Sequence, residues 1–191
     1  MEEIEAITAV HHPVRRRIVD HLGLYGASQV TTLARALDLQ VGSISHHLRM
    51  LERAGIIERA DDPTGDRRTS WWQSARKSFS WSVDDFADSP ANAMLARGAA
   101  RSNIRTQIGR LSAWHRNTTA SPQWSRAAFS TDSLAWASAE ELARLSTALN
   151  DTIDAWKRSI ERDGADRVET DQSETGRRPV FVFAHGFPTS P

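Results

Sequence analysis

The strongest constraint on the fold is a segment with two chemically different faces, which runs from Gln40 to Gly55. On a helix, at about 100° per residue, its apolar side chains form one stripe and its basic and small side chains lie opposite. The stripe consists of Val41, Ile44, Leu48 and Leu51. The opposite side carries Gly42, His46, Arg49 and Arg53, flanked near the helix start by Ser43 and Ser45. One face can pack on a core while the other offers hydrogen-bond donors, which is typical of a helix that enters the major groove of DNA.

The residues before this segment predict two further helices. One is expected over residues 12–23, where Pro13 suits the first helical turn. A shorter one is expected over residues 31–37, capped by the side chain of Thr31. Residues 38–40 alone separate this helix from the two-faced segment. Two helices joined by so short a link predict a helix-turn-helix.

The residues after the two-faced segment predict a β-hairpin. Gly55 stands where a left-handed helix cap belongs. Strands are predicted over residues 56–60 and 67–74, with turn-forming residues between them. Arg67 and Arg68 lie beside the tip of this hairpin, and strand alternation sends one of them to each face. Such a hairpin indicates a wing whose arginines contact the phosphates of a DNA duplex.

The order of these elements is similar to that of a known family. The chain reads His-Pro-Val-Arg-Arg-Arg-Ile-Val over residues 12–19 and Ser-Ile-Ser-His-His-Leu-Arg-Met-Leu-Glu-Arg-Ala-Gly-Ile-Ile-Glu over residues 43–58. These two motifs occur in a predicted order of two helices, a recognition helix and a hairpin. In this respect the chain resembles the ArsR-like winged helix-turn-helix regulators over about residues 5–80. The resemblance implies a homodimer that binds a double-stranded DNA operator and represses or activates transcription.

The second half of the chain has a different character, and we expect it to be a separate module. The predicted fold is mainly α with a small β-hairpin wing: a winged helix-turn-helix DNA-binding domain over residues 1–82, then a helical dimerisation domain over residues 83–191, on which any effector would act. Helical spacing of apolar residues predicts a helix over residues 92–116. A second helix follows the capping-box spacing of residues 138–141. Residues 180–184 are predicted to form a terminal strand.

Each of these two helices carries an apolar stripe that needs a partner. The stripes can meet within one chain or across a dimer. The residues that we expect at the dimer interface are Ile104, Ile108, Leu111, Leu145, Leu149, Ile153 and Trp156.

Composition limits the chemistry that the chain can perform. It has no cysteine, which excludes disulfides and thiolate metal sites. His46 and His47 are adjacent, so on a helix they diverge by about 100° and cannot hold one ion together. We expect no metal and no cofactor, and we expect any effector to be a small organic molecule or a partner protein. No apolar run of signal-peptide or membrane length occurs near residue 1, so we expect a cytoplasmic protein with no membrane partner.

Two alternative functions remain. The formal net charge is +0, which gives no general support to nucleic-acid binding and favours a winged helix that acts as a protein-protein adaptor. Arginines on the polar helix face and in the predicted wing argue against this adaptor. The interpretation of the chain as a small hydrolase is supported by His185 and Gly186 alone. The Gly-x-Ser-x-Gly pattern of such enzymes occurs nowhere in the sequence. We therefore expect a protein that is not an enzyme.

Overall fold

The computed structural model describes residues 2–61, 70–75, 81–116, 121–165 and 176–190. It divides into two compact units, Met1–Asn117 and Thr118–Pro191. The elements are α1 (Glu2–Val10), α2 (Pro13–Tyr25), β1 (Ser28–Gln29), α3 (Val30–Leu37), α4 (Val41–Arg53), β2 (Ile57–Ala60), β3 (Trp71–Ser74), a 3-10 helix (Val83–Phe86), α5 (Pro90–Arg116), α6 (Pro122–Ala127) and α7 (Ala139–Ala165). The fold is mainly helical with one small sheet, as predicted. No helix in these described ranges is both long and apolar enough to cross a membrane.

The sheet confirms the predicted hairpin and adds a strand to it. Strands β2 and β3 pair antiparallel, with Ile57 opposite Ser74 and Ala60 opposite Trp71. Strand β1, which the sequence did not predict, pairs with the other edge of β3 and gives the order β1-β3-β2. Residues 67–69 of the second predicted strand, with both of its arginines, lie outside the described residues. A helix-turn-helix followed by this sheet is a winged helix-turn-helix fold.

The core of the first unit lies between α2, α3, α4 and the sheet. Ile44, Leu48 and Leu51 are fully buried in it, as the two-faced pattern of α4 predicts. Val41 was predicted to share this stripe, but 48% of it is exposed. The prediction was wrong because Val41 is the first residue of α4 and a helical side chain covers the turn before its own Cα. At the helix start that turn lies beyond the core.

Helix α1, which the sequence analysis did not predict, contacts a second apolar cluster. Ile4 and Ile7 pack with Phe86 of the 3-10 helix and with Ala96 and Ala99 of α5. The other face of α1 adds Ala6, Ala9 and Val10 to the main core. Because α1 contributes residues both to the main core and to the cluster that includes α5, it joins α5 to the first compact unit. The domain boundary expected at residue 82 stays a prediction, which truncation can test.

The second unit contains the predicted capping box and long helix. The backbone N–H of Glu141 donates to Ser138 Oγ at 3.2 Å, and the N–H of Ser138 donates to Glu141 Oε2 at 2.7 Å. These bonds fix the start of α7, whose 27 residues confirm the predicted helix. The backbone N–H and the hydroxyl of Ser138 both donate to Glu141 Oε2, and these two hydrogen bonds lower the pKa of Glu141.

The strand predicted over residues 180–184 is not formed, since residues 177–190 have no regular secondary structure. The ring of Phe183 still contacts its two neighbours on the same side of the extended chain. Its centroid lies 5.9 Å from that of Phe181 and 6.1 Å from that of His185. The segment packs on α7, where a Cβ placed on Gly186 would lie 2.7 Å from Leu142 Cδ1. A helix surface offers this segment no ladder of backbone groups, so its strand-like sequence packs through side chains instead.

Candidate nucleic-acid interface

The turn between α3 and α4 is fixed by hydrogen bonds at the end of α3. The N–H of Asp38 donates to Arg35 O at 3.3 Å and the N–H of Leu39 donates to Ala34 O at 2.9 Å. Asp38 has a φ of 54°, the left-handed conformation that ends many helices. Arg17 Nη2 of α2 donates to Leu37 O at 2.8 Å. These contacts set the direction in which α4 leaves the turn.

The first turn of α3 differs from the prediction. The helix begins at Val30 with Gln29 at its N-cap, and the side chain of Gln29 makes no capping hydrogen bond. Thr31 was predicted to be this cap, but it lies inside the helix because β1 ends directly before Val30. Pairing of β1 with β3 therefore decides where the helix begins, and Thr31 is left exposed.

The start of α4 has backbone donors that the side chain of its N-cap residue does not cap. Gln40 is the N-cap residue and makes no side-chain hydrogen bond to the helix. The first N–H groups of a helix have no partner within the helix. Together with the positive end of the helix dipole, such groups attract phosphates and other anions. The start of α4 is therefore suited to contact a nucleic-acid backbone.

Gly42 lies in the first turn of α4 with open space beside it. A Cβ built on Gly42 would meet no other atom within 4 Å, and its φ is not in the left-handed range. Neither the packing of the chain nor its backbone conformation therefore requires glycine here. Glycine in a helix costs about 0.5–1 kcal/mol relative to alanine. A glycine at an exposed helix start leaves room for another molecule to approach the backbone closely.

The other residues predicted to contact DNA share this face of α4. His46, Arg49 and Arg53 are exposed, and Ser43 and Ser45 are half-buried at its edge. Ser45 Oγ donates to Val41 O at 2.9 Å. Arg49 Nε donates to Ser45 O at 3.2 Å, which holds the guanidinium along the helix. Six of the eight predicted residues are thus brought together, while Arg67 and Arg68 lie outside the described residues.

His47 has a different environment from His46. It is half-buried, and its ring lies 5.1 Å from that of His12 at the start of α2. Burial lowers the pKa of His47, and electrostatic repulsion from His12, His46 and Arg15 lowers it further. Burial also lowers the pKa of His12. The two rings lie between α4 and α2. Among the described residues, no three His, Cys, Asp or Glu side chains form a metal-binding group.

The sequence analysis missed a surface of α3 that adjoins this face. An open depression of about 480 Å³ lies at the helix-turn-helix link. Its lining comprises Thr31, Ala34, Arg35, Asp38, Leu39, Gln40 and Val41. Arg35 and Gln40 are exposed, so a guanidinium and an amide border the open start of α4. The signal was available, because Thr31 and Arg35 are spaced i, i+4 on the exposed face of α3.

The base of the wing is attached to the end of α4. The guanidinium of Arg59 in β2 lies 4.0 Å from the ring centre of Trp72 in β3. Arg59 Nε also lies 3.8 Å from Glu52 Oε1 of α4. Trp72 is 3% exposed and belongs to the main core. The position of the sheet relative to α4 is therefore set by a buried indole and a charged contact.

Comparison with known proteins supports the helix-turn-helix assignment. Residues 10–60 match the model of a family described as a helix-turn-helix domain, a range that includes α2, α3, α4 and β2. No curated protein sequence matches the chain. Among solved structures, the chain is similar to the apo form of a C30AH42A mutant of Lactococcus lactis ZitR, at 12% sequence identity. That match covers 76% of this chain and 83% of the other, with a TM-score of 0.34.

Proposed function

We propose that this chain is an ArsR-like winged helix-turn-helix transcription regulator that binds a double-stranded DNA operator as a homodimer. The observation that carries the proposal is the start of α4. Uncapped amides, open space at Gly42 and the exposed His46 and Arg49 occur together on one helix face. A recognition helix that enters the major groove by its first turns needs such a surface.

The residues of this surface have distinct roles in the proposal. Arg49 pairs with a guanine edge, since Arg is the commonest side chain for bidentate contact with guanine. Gly42 lets the backbone approach the bases, and Ser43, Ser45 and His46 contact base edges or phosphates. Three arginines hold the neighbouring backbone. They are Arg53 at the end of α4 and, in the predicted wing, Arg67 and Arg68.

Dimerisation through the apolar stripes of α5 and α7 completes the proposal. On α5, Ile104, Ile108 and Leu111 are 43%, 55% and 43% exposed. On α7, Leu145, Leu149 and Trp156 are exposed to a similar degree, while Ile153 is half-buried. Rows of large apolar side chains at helical spacing favour burial against another helix. A two-fold dimer also doubles the few base pairs that one recognition helix reads.

The remaining parts of the proposal concern the effector and the location of the protein in the cell. We propose that an effector, where the regulator uses one, is a small organic molecule or a partner protein that acts on the second half of the chain. It would change operator affinity through its different affinities for the two forms of the dimer. The proposal includes no catalysis, and a regulator of this kind acts in the cytoplasm.

Selection from random DNA, followed by footprinting with the full chain, tests the proposal. We expect a discrete palindromic site. Arg49→Ala should weaken binding by about 1–3 kcal/mol and relax specificity at one position in each half-site. Arg144→Ala is a matched control, because Arg144 is an exposed arginine on α7 that pairs with Glu140. The proposal is wrong if no discrete site is protected, or if Arg49→Ala binds the selected site unchanged.

The second candidate is a winged-helix adaptor that binds protein, which the formal net charge of +0 favours. The dependence of binding on salt separates the two. Contacts with phosphates release counterions, so operator affinity should fall steeply with salt. Replacing Arg67 and Arg68 together with Ala should flatten the slope of log K against log salt by about one unit for each lost contact. An adaptor would show no saturable DNA binding at low salt.

A further inference from the structure

Val41 occupies a position on the proposed DNA-facing surface that its apolar side chain does not explain. It is the first residue of α4, directly before Gly42, and 48% of it is exposed. The apolar stripe of α4 already supplies Ile44, Leu48 and Leu51 to the core, each 0% exposed. Val41 is therefore an exposed apolar side chain at the start of α4. In the proposed function, this start of the helix enters the major groove.

The surroundings of Val41 combine an apolar floor with a polar edge. Val41, Ala34 and Leu39 contribute apolar lining to the depression at the helix-turn-helix link. Arg35 and Gln40 are exposed at its edge and can contact a phosphate or a base. On the other side of Val41, the open space at Gly42 leaves room for a base edge to approach.

The chemistry of the major groove offers one natural partner for such a side chain. Thymine presents a C5-methyl group there, whereas unmodified cytosine, adenine and guanine present polar donors and acceptors without a methyl group. Resting on the proposed function, we propose that Val41 contacts the C5-methyl group of a thymine. Each operator half-site then contains a T·A pair opposite the start of α4, and Val41 determines specificity at that pair.

Replacement of single thymines by deoxyuridine tests this proposal, because it removes the methyl group and leaves the hydrogen-bonding groups of the base in place. The full chain and its selected operator are used, with each thymine of the half-site replaced in turn. Loss of one buried methyl group should weaken binding about three- to fivefold per half-site, at one thymine position. Binding by Val41→Ala should be weaker than wild type on the thymine operator and insensitive to deoxyuridine at that position.

Leu24→Ala is the matched control, since Leu24 is an apolar residue that is 52% exposed near the end of α2. This variant should keep the full sensitivity to deoxyuridine. Circular dichroism should show both variants folded, because neither side chain is buried. If Val41→Ala is as sensitive as wild type, or if no thymine position responds in wild type, this proposal is overturned while operator binding stands. If no discrete site exists, the proposed function and this inference fail together.

Discussion

Replacing Gly42 with Ala should strengthen the fold and weaken operator binding. Gly42 is helical, and an added methyl group would meet nothing within 4 Å. The substitution therefore removes the conformational freedom of glycine from the unfolded chain without creating a clash. We expect the free energy of unfolding to rise by about 0.5–1 kcal/mol. Urea denaturation followed by far-UV circular dichroism measures this change.

The effect of the same methyl group on DNA binding should have the opposite sign. In the proposed function the backbone at Gly42 approaches the bases, so a methyl group there would push the helix outward and lengthen its contacts. We expect binding to weaken at least tenfold, which is about 1.4 kcal/mol. Fluorescence anisotropy with the selected operator measures it.

Gly98→Ala provides the matched control for Gly42→Ala. Gly98 is an exposed glycine in α5, and a Cβ there also meets nothing within 4 Å. It should stabilise the fold by a similar amount and leave operator binding unchanged. The reasoning is refuted if Gly42→Ala is more stable than wild type and binds the operator equally well, because α4 would then not approach DNA at this point.

Four further predictions concern stability and assembly. Burial, and then the charge of Arg16, lower the pKa of His11 from 6.5 to about 4, so the unfolded chain binds more protons than the folded chain between these pH values. The free energy of unfolding should therefore fall as the pH drops through 6.5 toward 4. His11→Gln should flatten this dependence, as measured by urea denaturation at pH 7.5 and pH 5. Ile7 is fully buried against α5, so Ile7→Ala should cost about 2–4 kcal/mol. The fragment 1–82, which lacks α5, should be less stable to urea than 1–117; equal stability would favour the boundary at residue 82. Leu149→Asp should give monomers in sedimentation velocity if α7 forms the dimer interface, and Thr147→Asp, also exposed on α7, should not.

The parts of the fold that depend on local sequence could be predicted. The buried stripe of α4 follows from helical spacing, and Gly55, with a φ of 64°, follows from its place after the last turn. The capping box at Ser138 follows from two residues three positions apart. Each of these requires only the chemistry of neighbours within one or two turns.

The elements that the sequence analysis missed depend on contacts between residues far apart in the chain. Strand β1 is two residues long and exists because β3 pairs with it, which no local pattern of Ser28 and Gln29 reveals. Helix α1 is fixed by Ile4 and Ile7, whose partners include α5 about ninety positions later. Val41 was misplaced because spacing gives the direction of a side chain but not where the core ends. The same limit hid the exposed position of Val41 from the sequence analysis.

The contacts of α2 bear on how a dimer of this chain would position two recognition helices. Arg16 Nη1 donates to Asn103 Oδ1 of α5 at 3.4 Å, and Asp20 accepts from Arg110 of the same helix. Arg17 of α2 reaches the end of α3, directly before α4. Helix α5 is thus joined through α2 to the helix-turn-helix. In the proposed dimer, pairing of α5 would therefore fix the separation of the two α4 helices, and a change in that pairing would alter which half-site spacing the dimer binds.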